Sequence, residues 1–478
     1  MLIVICQLPG EHAISTQINQ FRIHSHTPPQ HNALTWKLPL TRALSHLIEH
    51  LNTPGPKSND NAVCDGVSHL SIKAYILPHI YKMISTAPEV DRLIDANAPL
   101  IICVSGGKDS QLVTEQVVTY ARNRNHSGDL VLCYSDLGRV VWSDARSQCQ
   151  QLAERLGVPL HIVTRKAGGL MERWTKRWQD NLRRYRELSC VKLILPWSTP
   201  SMRFCTSELK TAIIQSWIRR TYKQPVLCVL GIRRDESRSK RSGRGAAPIF
   251  KVHRTKNGKA PAMPEGSIDW NAIVEVKTEA VFQILRSTNQ PLPSAYTFGA
   301  SRFSCCFCIM GATADQLAAT RDPRNHDLYR EQCELEISST FPFQANKWLS
   351  DVAPELLTAT QRARLIQAKI KANNRVEIES QIPTHLLYVQ GWPVAMPTPK
   401  EAKLIADTRQ QVAEIMAIEV QHITAESVLN RYAELIRLKE AKARTKQKSY
   451  KAASPDCRQA QLFTLEPSKT SSLVLNAQ

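Results

Sequence analysis

The sequence predicts an α/β protein with a doubly wound parallel sheet and an all-helical C-terminal region. A short apolar run, Leu100–Val104, stops at a glycine turn and is followed at once by an amphipathic segment, as in a buried strand, a loop and a crossover helix. The same rhythm recurs twice downstream, and three such units indicate parallel strands joined by right-handed crossovers. From about residue 355 onward the apolar spacing is helical.

Apolar periodicity and turn residues define the expected elements. The expected strands are 100–104, 129–135, 159–164 and 225–231, with a short strand or turn at 270–276. The expected helices are one or two within 72–96, then 112–122, 143–156 (closed by Gly157), 278–285, 356–372, 399–418 and 425–446. We expect four regions, which are a poorly structured extension (1–70), an α/β domain (71–311), a helical region (312–450) and a disordered tail (451–478).

The composition is that of a globular protein with an anionic partner. The formal net charge is +20, which favours a nucleotide, a sulfated metabolite or a nucleic acid without choosing among them. Thirteen scattered cysteines in a long chain argue against a disulfide framework. No apolar run approaches the roughly 18–20 residues of a membrane span, and Met1–Cys6 is too short for a signal peptide. We therefore expect a cytoplasmic protein without a membrane partner.

The glycine turn after the first strand is a candidate phosphate-binding site. Its candidate residues are Ser105, Gly106, Gly107, Lys108, Asp109 and Ser110. Glycines let the main chain approach a phosphate, and a helix N-terminus directs free N–H groups and a positive dipole end at the same point. We expect Asp109 or Ser110 to open the helix as its N-cap. The spacing is not that of the P-loop motif of nucleoside triphosphatases.

The residues at the end of the second strand are candidates for a nucleoside pocket. Ser135 and Asp136 follow an apolar run, and ligands of such sheets bind beyond the carboxyl ends of the strands. A plain turn is the alternative interpretation.

A basic stretch, Ile232–Arg241, follows the fourth expected strand. If that strand lies beside the first, Arg233 and Arg241 face the glycine loop and can hold phosphate or sulfate with two hydrogen bonds each. Glu236 in the same stretch is a candidate metal-facing carboxylate or general base. The alternative is a solvated basic loop.

Four cysteines are candidate metal ligands or reactive thiols. Cys205 stands just before an expected helix, where the dipole favours a thiolate, although a buried structural thiol is the alternative. Cys305 and Cys308 form a C-x-x-C pair with Cys306 between them, which is typical of metal or iron–sulfur ligation. A closed site needs four ligands, which Cys205 and Cys333 could complete. A redox dithiol and a structural cluster stay open as alternatives.

Two basic stretches are candidates for nucleic-acid binding. Gly168–Leu188 interleaves tryptophan and arginine, which could hold a base or a strand, or could form an amphipathic helix with a solvated basic face. Lys439–Lys451 is rich in lysine and could contact nucleic acid, or could be a solvated helix end.

Five stretches, taken together, resemble the phosphoadenosine-phosphosulfate (PAPS) reductase family of the PP-loop ATP pyrophosphatase superfamily. They are VSGGKDSQ, YSDLGRVVW, SMRFCTSELK, LGIRRDESRSKR and YTFGASRFSCCFCIMG, in this order between about residues 100 and 311. Two features depart from true PAPS reductases. The phosphate loop is intact here, whereas it is degenerate in those enzymes. The tail contains only Cys457 and lacks the C-terminal catalytic cysteine motif of the family.

The chain is therefore more similar to the ATP-cleaving, iron–sulfur-bearing branch, which includes the ATPase of DNA phosphorothioation systems and sulfur-inserting tRNA enzymes. The resemblance implies a PP-loop, Rossmann-like fold and cleavage of ATP to AMP and pyrophosphate with Mg²⁺. It implies that Cys205, Cys305 and Cys308 hold a [4Fe–4S] cluster or relay sulfur. It further implies DNA or tRNA as acceptor and a cysteine desulfurase or another sulfur donor as partner. The implied catalytic residues are Lys108, Asp109, Arg233, Glu236 and Arg241.

Two other functions remain as alternatives at this point. A sulfonucleotide reductase would release sulfite from PAPS or adenylyl sulfate without ATP. A non-catalytic, nucleotide-gated nucleic-acid binder would use the basic helices alone.

Overall fold

The computed structural model describes residues 83–236 and 247–452, which belong to one compact unit. The expected extension (1–70), all but the first two residues of the expected tail (451–478) and the candidate residue Arg241 lie outside the described residues.

Six strands form one sheet in the order β3-β2-β1-β4-β6-β5. Their bounds are β1 Leu100–Val104, β2 Leu130–Asp136, β3 Leu160–Thr164, β4 Leu227–Val229, β5 Phe250–Val252 and β6 Ile268–Trp270. All neighbouring pairs are parallel except β5 and β6, which are antiparallel at one edge. The predicted fold class is confirmed, and β1 and β4 are neighbours in the sheet.

The central strands, β1 and β4, are short and buried because strands lie on both sides of them. β1 is buried along almost its whole length, as expected for a central parallel strand. The expected fourth strand, 225–231, is longer than the observed β4, because β1 and β6 pair with it over three residues only.

Twelve helices accompany the strands in the described residues. They are α1 Pro88–Asp95, α2 Lys108–Asn123, α3 Ala145–Leu156, α4 Leu170–Arg186, α5 Ala212–Thr221, α6 Thr278–Ser287, α7 Ser294–Thr297, α8 Thr313–Thr320, α9 His326–Ser339, α10 Ala359–Ser380, α11 Pro399–Met416 and α12 Ala425–Ala452. A three-residue α-helical turn, Phe204–Thr206, and a π-helical turn, Ser207–Thr211, lead into α5. Single 3₁₀ turns lie at Arg234–Glu236, Pro323–Asn325, Leu349–Asp351, Pro354–Leu356 and Thr384–Leu386.

The sheet is doubly wound because its crossover helices cover both faces. Apolar residues of α2, α3 and α6 pack on the face that carries Leu100 and Ile102. Residues of α5 pack on the opposite face, which carries Ile101 and Cys133. The chain therefore changes direction between β1 and β4, where doubly wound sheets open a ligand-binding crevice.

The C-terminal helices share a large apolar core with α4. Trp174 of α4, Tyr329 of α9, Leu365 of α10 and Val412 of α11 all lie in this core. The expected start of α10 at residue 356 differs from the observed one, because Thr358 caps the helix and accepts from the N–H of Gln361.

The aromatic residues of α4 face this core rather than solvent. Trp174, Trp178 and Tyr185 are at most 7% exposed, and Arg173 and Arg177 lie over the ring of Phe204. The interpretation of Gly168–Leu188 as a stacking surface for nucleic acid is therefore wrong, because its aromatic rings are covered by protein. No helix among the described residues has the length and apolar character needed to cross a bilayer.

Candidate active site

The glycine loop lies at the carboxyl end of β1, at the switch point of the sheet. β1 ends at Val104 and α2 begins at Lys108, so three residues, 105–107, make the turn. Ser105 is exposed, whereas the two glycines and Lys108 are buried. The loop is thus held in place by its neighbours and presents a limited surface.

Both glycines are required by close packing. Gly106 has a φ of +82°, and a Cβ there would lie 2.7 Å from the carbonyl oxygen of Ala145 at the start of α3. At Gly107 a Cβ would lie 2.9 Å from the Cβ of Phe303. A side chain at either position would displace the loop from its supports.

The first turn of α2 has no side-chain cap. We expected Asp109 or Ser110 to open the helix, but the N-cap residue is Gly107 and no side chain accepts from the first-turn amides. Ser110 instead donates its hydroxyl to the carbonyl oxygen of Gly107 at 2.8 Å, while Asp109 bonds to cationic side chains. The uncapped, positively polarised end of α2 is suited to an anion.

Lys108 is buried in a small aromatic cage beside the loop. Its side chain is 4% exposed, and its Nζ lies 2.8 Å from Oδ2 of Asp109. The same Nζ lies 5.5 Å from the ring centroid of Phe282 and 6.0 Å from that of Tyr296. Burial raises the pKa of Tyr296, and the Asp109 carboxylate raises it further.

Arg233 reaches the glycine loop from the bend after β4. Its guanidinium Nε lies 2.7 Å from Oδ1 of Asp109, and Nη1 donates to Oγ1 of Thr278 at 3.0 Å. The side chain is 1% exposed. Asp109 therefore pairs with both Lys108 and Arg233. These two buried cations lie at the N-terminus of α2, which is the positive end of the helix dipole.

Glu236 is a second carboxylate near this group. Its Oε1 lies 3.8 Å from Nη2 of Arg233. Burial and the Asp109 carboxylate raise the pKa of Glu236, while Arg233 and Lys108 act in the opposite direction. The structure places Glu236 beside the loop, as its position after β4 suggested.

A cavity of about 500 Å³ opens beside the loop at the carboxyl ends of the central strands. Ser105 and Ser135 line it, and this volume is within the range of small-molecule sites. The Ser135 hydroxyl donates to the carbonyl oxygen of Leu209 at 2.7 Å, so it joins β2 to the π-helical turn. Asp136 does not line the cavity, contrary to our expectation, because its Oδ1 accepts from the N–H of Gly138 in the turn after β2.

Three of the four candidate thiols line the same cavity. Cys205 comes from the turn before α5, and Cys305 and Cys308 come from the segment after α7. Burial, together with the Cys308 and Cys205 thiols, raises the pKa of Cys305 to about 12, while Lys210 acts in the opposite direction. Arg203 and Lys210 also line the cavity, so the thiols share it with cations.

The fourth candidate, Cys333, lies elsewhere. It is fully buried in the helical core on α9, beside Tyr329 and Ser350, and does not line the cavity. Cys333 lies on the side of α9 that faces the core. The predicted set of four ligands is therefore wrong for Cys333. Cys306 is also buried and donates its thiol to Oδ1 of Asn325.

The three thiols that line the cavity supply only part of the ligand set of an iron–sulfur cluster. No group of three histidine, cysteine or acidic side chains among the described residues is placed to hold a single metal ion. The three cavity thiols would supply three of the four ligands that a [4Fe–4S] cluster takes from protein or other donors. A complete ligand set therefore needs a further donor.

Sequence reasoning missed several residues of this site. Tyr296 and Phe303 contact the loop, and both lie in the stretch YTFGASRFSCCFCIMG, in which only the cysteines were candidate site residues. Phe282 lies on α6 and faces Lys108, and nothing in the sequence around Phe282 indicates this contact. Asp269 of β6 also lines the cavity, where a single carboxylate in a short strand gives no pattern to detect.

Comparisons with known proteins show a remote likeness to a solved structure. No protein-family model matches the chain, and no curated protein matches it. Among solved structures the chain is similar to a phosphoadenylyl-sulfate (PAPS) reductase from Candida auris, solved as a phosphate complex. The two are 13% identical, and the match covers 51% of this chain and 98% of the reductase at a TM-score of 0.30. At this sequence identity and TM-score, the similarity does not support assigning the activity of the reductase to this chain.

The geometry itself defines the class of protein. It is a doubly wound α/β protein with a glycine loop, two buried cations and a thiol-lined cavity at the same end of the sheet. Ser105 of the loop lines the cavity, whereas Lys108 and Arg233 do not.

Proposed function

We propose that this protein is a PP-loop enzyme that binds ATP at the Ser105–Ser110 loop and cleaves it between the α and β phosphates. An oxygen of the acceptor attacks the α phosphorus, the bond from that phosphorus to the bridging oxygen breaks, and pyrophosphate leaves. The products are an adenylylated acceptor and pyrophosphate, and release of AMP completes the reaction when sulfur replaces the activated oxygen.

The observation that carries this proposal is the contact between two separate strand ends. Arg233, after β4, bonds to Asp109 of the loop after β1, so Lys108 and Arg233 lie on either side of one carboxylate. With the uncapped end of α2, they form a preorganised positive site for a leaving pyrophosphate. Negative charge developing on the bridging oxygen would be stabilised there without reorganisation of the protein.

Asp109 and Glu236, which both lie within 4 Å of Arg233, are the carboxylates near the loop that would hold the magnesium ion accompanying ATP. Two carboxylates near the loop, rather than a full protein cage, match an ion that completes its shell with phosphate oxygens and water. Bound there, Mg²⁺ would neutralise phosphate charge during cleavage.

The thiols support sulfur transfer as the purpose of the activation. Cys205, Cys305 and Cys308 line the cavity that Ser105 also lines, so a sulfur carrier or an iron–sulfur cluster would lie beside the activated group. DNA or tRNA as acceptor, and a desulfurase as sulfur source, belong to the proposal through the resemblance of the motifs and the net positive charge.

The test is product analysis with α-labelled ATP and Mg²⁺ in protein purified without oxygen, where water takes the place of the acceptor and its attack on the α phosphorus gives AMP and pyrophosphate directly. We expect AMP and pyrophosphate, and about 100-fold slower release from Lys108→Ala, because that change removes one cation from the leaving-group site. Lys176→Ala on the exposed side of α4 is the matched control and should leave the rate unchanged. Formation of ADP and phosphate would contradict the proposal, and thiol-dependent sulfite release from PAPS without ATP would indicate the reductase instead.

A further inference from the structure

A basic and aromatic surface lies in the C-terminal helical region. It consists of the loop 388–396, which precedes α11, together with Arg184 of α4 and Lys439 and Lys442 of α12, and we call it the Tyr388 surface. The side chain of Tyr388 is 54% exposed, whereas the aromatic rings of α4 are covered by protein. None of these residues lines the cavity of the candidate active site, so the proposed chemistry does not account for the surface.

The loop is held against the helices, which gives Tyr388 a defined position. The ring of Trp392 lies 5.3 Å from that of Tyr432, a buried residue of α12. Nζ of Lys439 donates to the carbonyl oxygen of Pro393 at 3.1 Å. Tyr388 packs beside Trp392, with the two ring centroids 6.3 Å apart. A ligand would therefore meet a preformed surface and lose little affinity to the ordering of the loop.

Three cations accompany the exposed ring. The guanidinium carbon of Arg184 lies 5.2 Å from the centroid of the Tyr388 ring. Lys442 is exposed one helical turn beyond Lys439 on the same face of α12. Within residues 83–236 and 247–452, none of these three cations forms an ion pair with a carboxylate, and the segment 384–397 contains no acidic residue. The surface is therefore complementary to an anion.

We propose that the Tyr388 surface binds single-stranded nucleic acid, with a base against the exposed part of its tyrosine ring and phosphates at its three cations. Proteins that hold single strands combine aromatic rings, on which bases stack, with cations along the backbone. In a duplex the bases are stacked on each other, so a duplex would contact the cations alone. The inference rests on the proposed function in one respect, because the strand held here would be the acceptor of that reaction.

Half-exposed apolar side chains in the same loop are the feature that a membrane would use instead. They are Val389, Val394 and Met396. An anionic bilayer would also satisfy the cations, but it offers no planar group to the paired Tyr388 ring and Arg184 guanidinium. This pair therefore favours a nucleic acid, and binding to a bilayer is one outcome of the test.

The test is fluorescence anisotropy with the full-length protein and a labelled single-stranded oligonucleotide of about 12 nucleotides, without ATP. We expect binding that weakens as the salt concentration rises, and about 10-fold weaker binding of a duplex of the same length. Tyr388→Ala should lower the affinity for the single strand about 10-fold, whereas Tyr388→Phe keeps the ring and should stay within about 3-fold of the wild type. Because Tyr388 is exposed, both variants should fold.

Lys439→Ala and Lys223→Ala form a matched pair for the cations. Each lysine is exposed and donates to a main-chain carbonyl oxygen, but Lys223 lies just after α5 in the α/β part of the chain. Lys439→Ala should lower the slope of log affinity against log salt by about 0.7, the contribution of one phosphate on a single strand. Lys223→Ala should leave both the slope and the affinity unchanged.

Absence of binding, equal binding of the single strand and the duplex, or unchanged affinity in Tyr388→Ala would each overturn the proposal. Binding to vesicles of anionic lipid that is lost in Tyr388→Ala, while the oligonucleotide does not bind, would overturn it in favour of a membrane surface. Product analysis with α-labelled ATP separates the two proposals. If AMP and pyrophosphate form but the oligonucleotide does not bind, the assignment of the surface alone fails. If the oligonucleotide binds as expected but no AMP forms, the proposed function alone fails.

Discussion

The phosphate loop and the thiol group occupy the same end of the sheet, but the chain builds them differently. The loop comes from six consecutive residues, and one distant arginine, Arg233, completes it. The thiol group takes Cys205 from the turn before α5 and Cys305 and Cys308 from a segment a hundred residues later. The geometry of a local motif is set by the motif's own residues. The geometry of a group drawn from distant segments depends on how helices and strands pack together.

The first prediction tests whether the three cavity thiols act as one group. In protein purified without oxygen, Cys305→Ser combined with Cys308→Ser should abolish bound metal, because two of three cavity ligands are lost. Cys333→Ser should retain it, since that thiol lies in the helical core. Iron, zinc and sulfide analysis is the measurement. Wild-type protein without any metal, or loss of metal in Cys333→Ser alone, would contradict the assignment.

The second prediction concerns the link between the two strand ends. Arg233→Ala removes a buried cation and leaves Asp109 with Lys108 alone, so the free energy of unfolding should fall by about 3–5 kcal/mol. Arg234→Ala is the control, since its ion pair with Glu275 is exposed and worth about 0–1 kcal/mol. Urea denaturation measures both. Similar losses in the two variants would show that the buried link is unimportant for stability.

The third prediction separates backbone strain from phosphate binding. Gly106→Ala places a Cβ against the Ala145 carbonyl at positive φ, and should lower nucleotide affinity about 100-fold by displacing the loop. Gly157→Ala has positive φ but open space at the end of α3, so it should cost about 1 kcal/mol of stability without affecting affinity. Calorimetric titration with ATP checks the first, and thermal unfolding the second. Normal affinity in Gly106→Ala would mean that the loop does not hold the phosphates.

The fourth and smallest effect concerns Glu208 in the π-helical turn that follows Cys205. The hydrogen bonds from Arg173 hold the pKa of Glu208 below its usual 4.5, although burial opposes them. A lowered pKa in the folded state stabilises the protein above pH 4.5, and the contribution is lost as the pH falls through the lowered value. Glu208 is half-exposed, so Glu208→Gln should cost about 0.5 kcal/mol at neutral pH. Urea titrations should show this difference vanish in acid; a difference that persists there would assign it to packing.

Much of the sheet could be predicted because its signals are local. β1 was predicted to the residue, and Gly157 closes α3 in the left-handed conformation as expected. The ends of elements were less accurate. β4 is shortened by its neighbours, and the N-cap of α2 is Gly107, because Asp109 bonds to Lys108 and Arg233 instead.

The residues of the candidate site could be named from the sequence where they belong to a motif or follow a strand, but which of them lie together could not. The C-x-x-C spacing separated Cys305 and Cys308, which line the cavity, from Cys306, which points into the core. No local signal showed that Cys333 lies in the helical core instead. In the sequence, the tryptophans of α4 are compatible with a stacking surface for nucleic acid. In the structure, the C-terminal helices cover them. Asp269 has no motif around it, and only the tertiary structure places it on the cavity wall.

By itself, then, the sequence determined the strand–loop–helix unit at Ser105–Ser110 and the alternating pattern that makes the sheet parallel. Both follow from interactions between residues close in the chain, namely apolar periodicity, glycine turns and helix ends. The tertiary structure alone decided that Arg233 meets Asp109, that three of four candidate thiols share a cavity, and that Asp269 faces it. Those contacts depend on strand order and on the packing of helices, which residues far apart in the chain establish together.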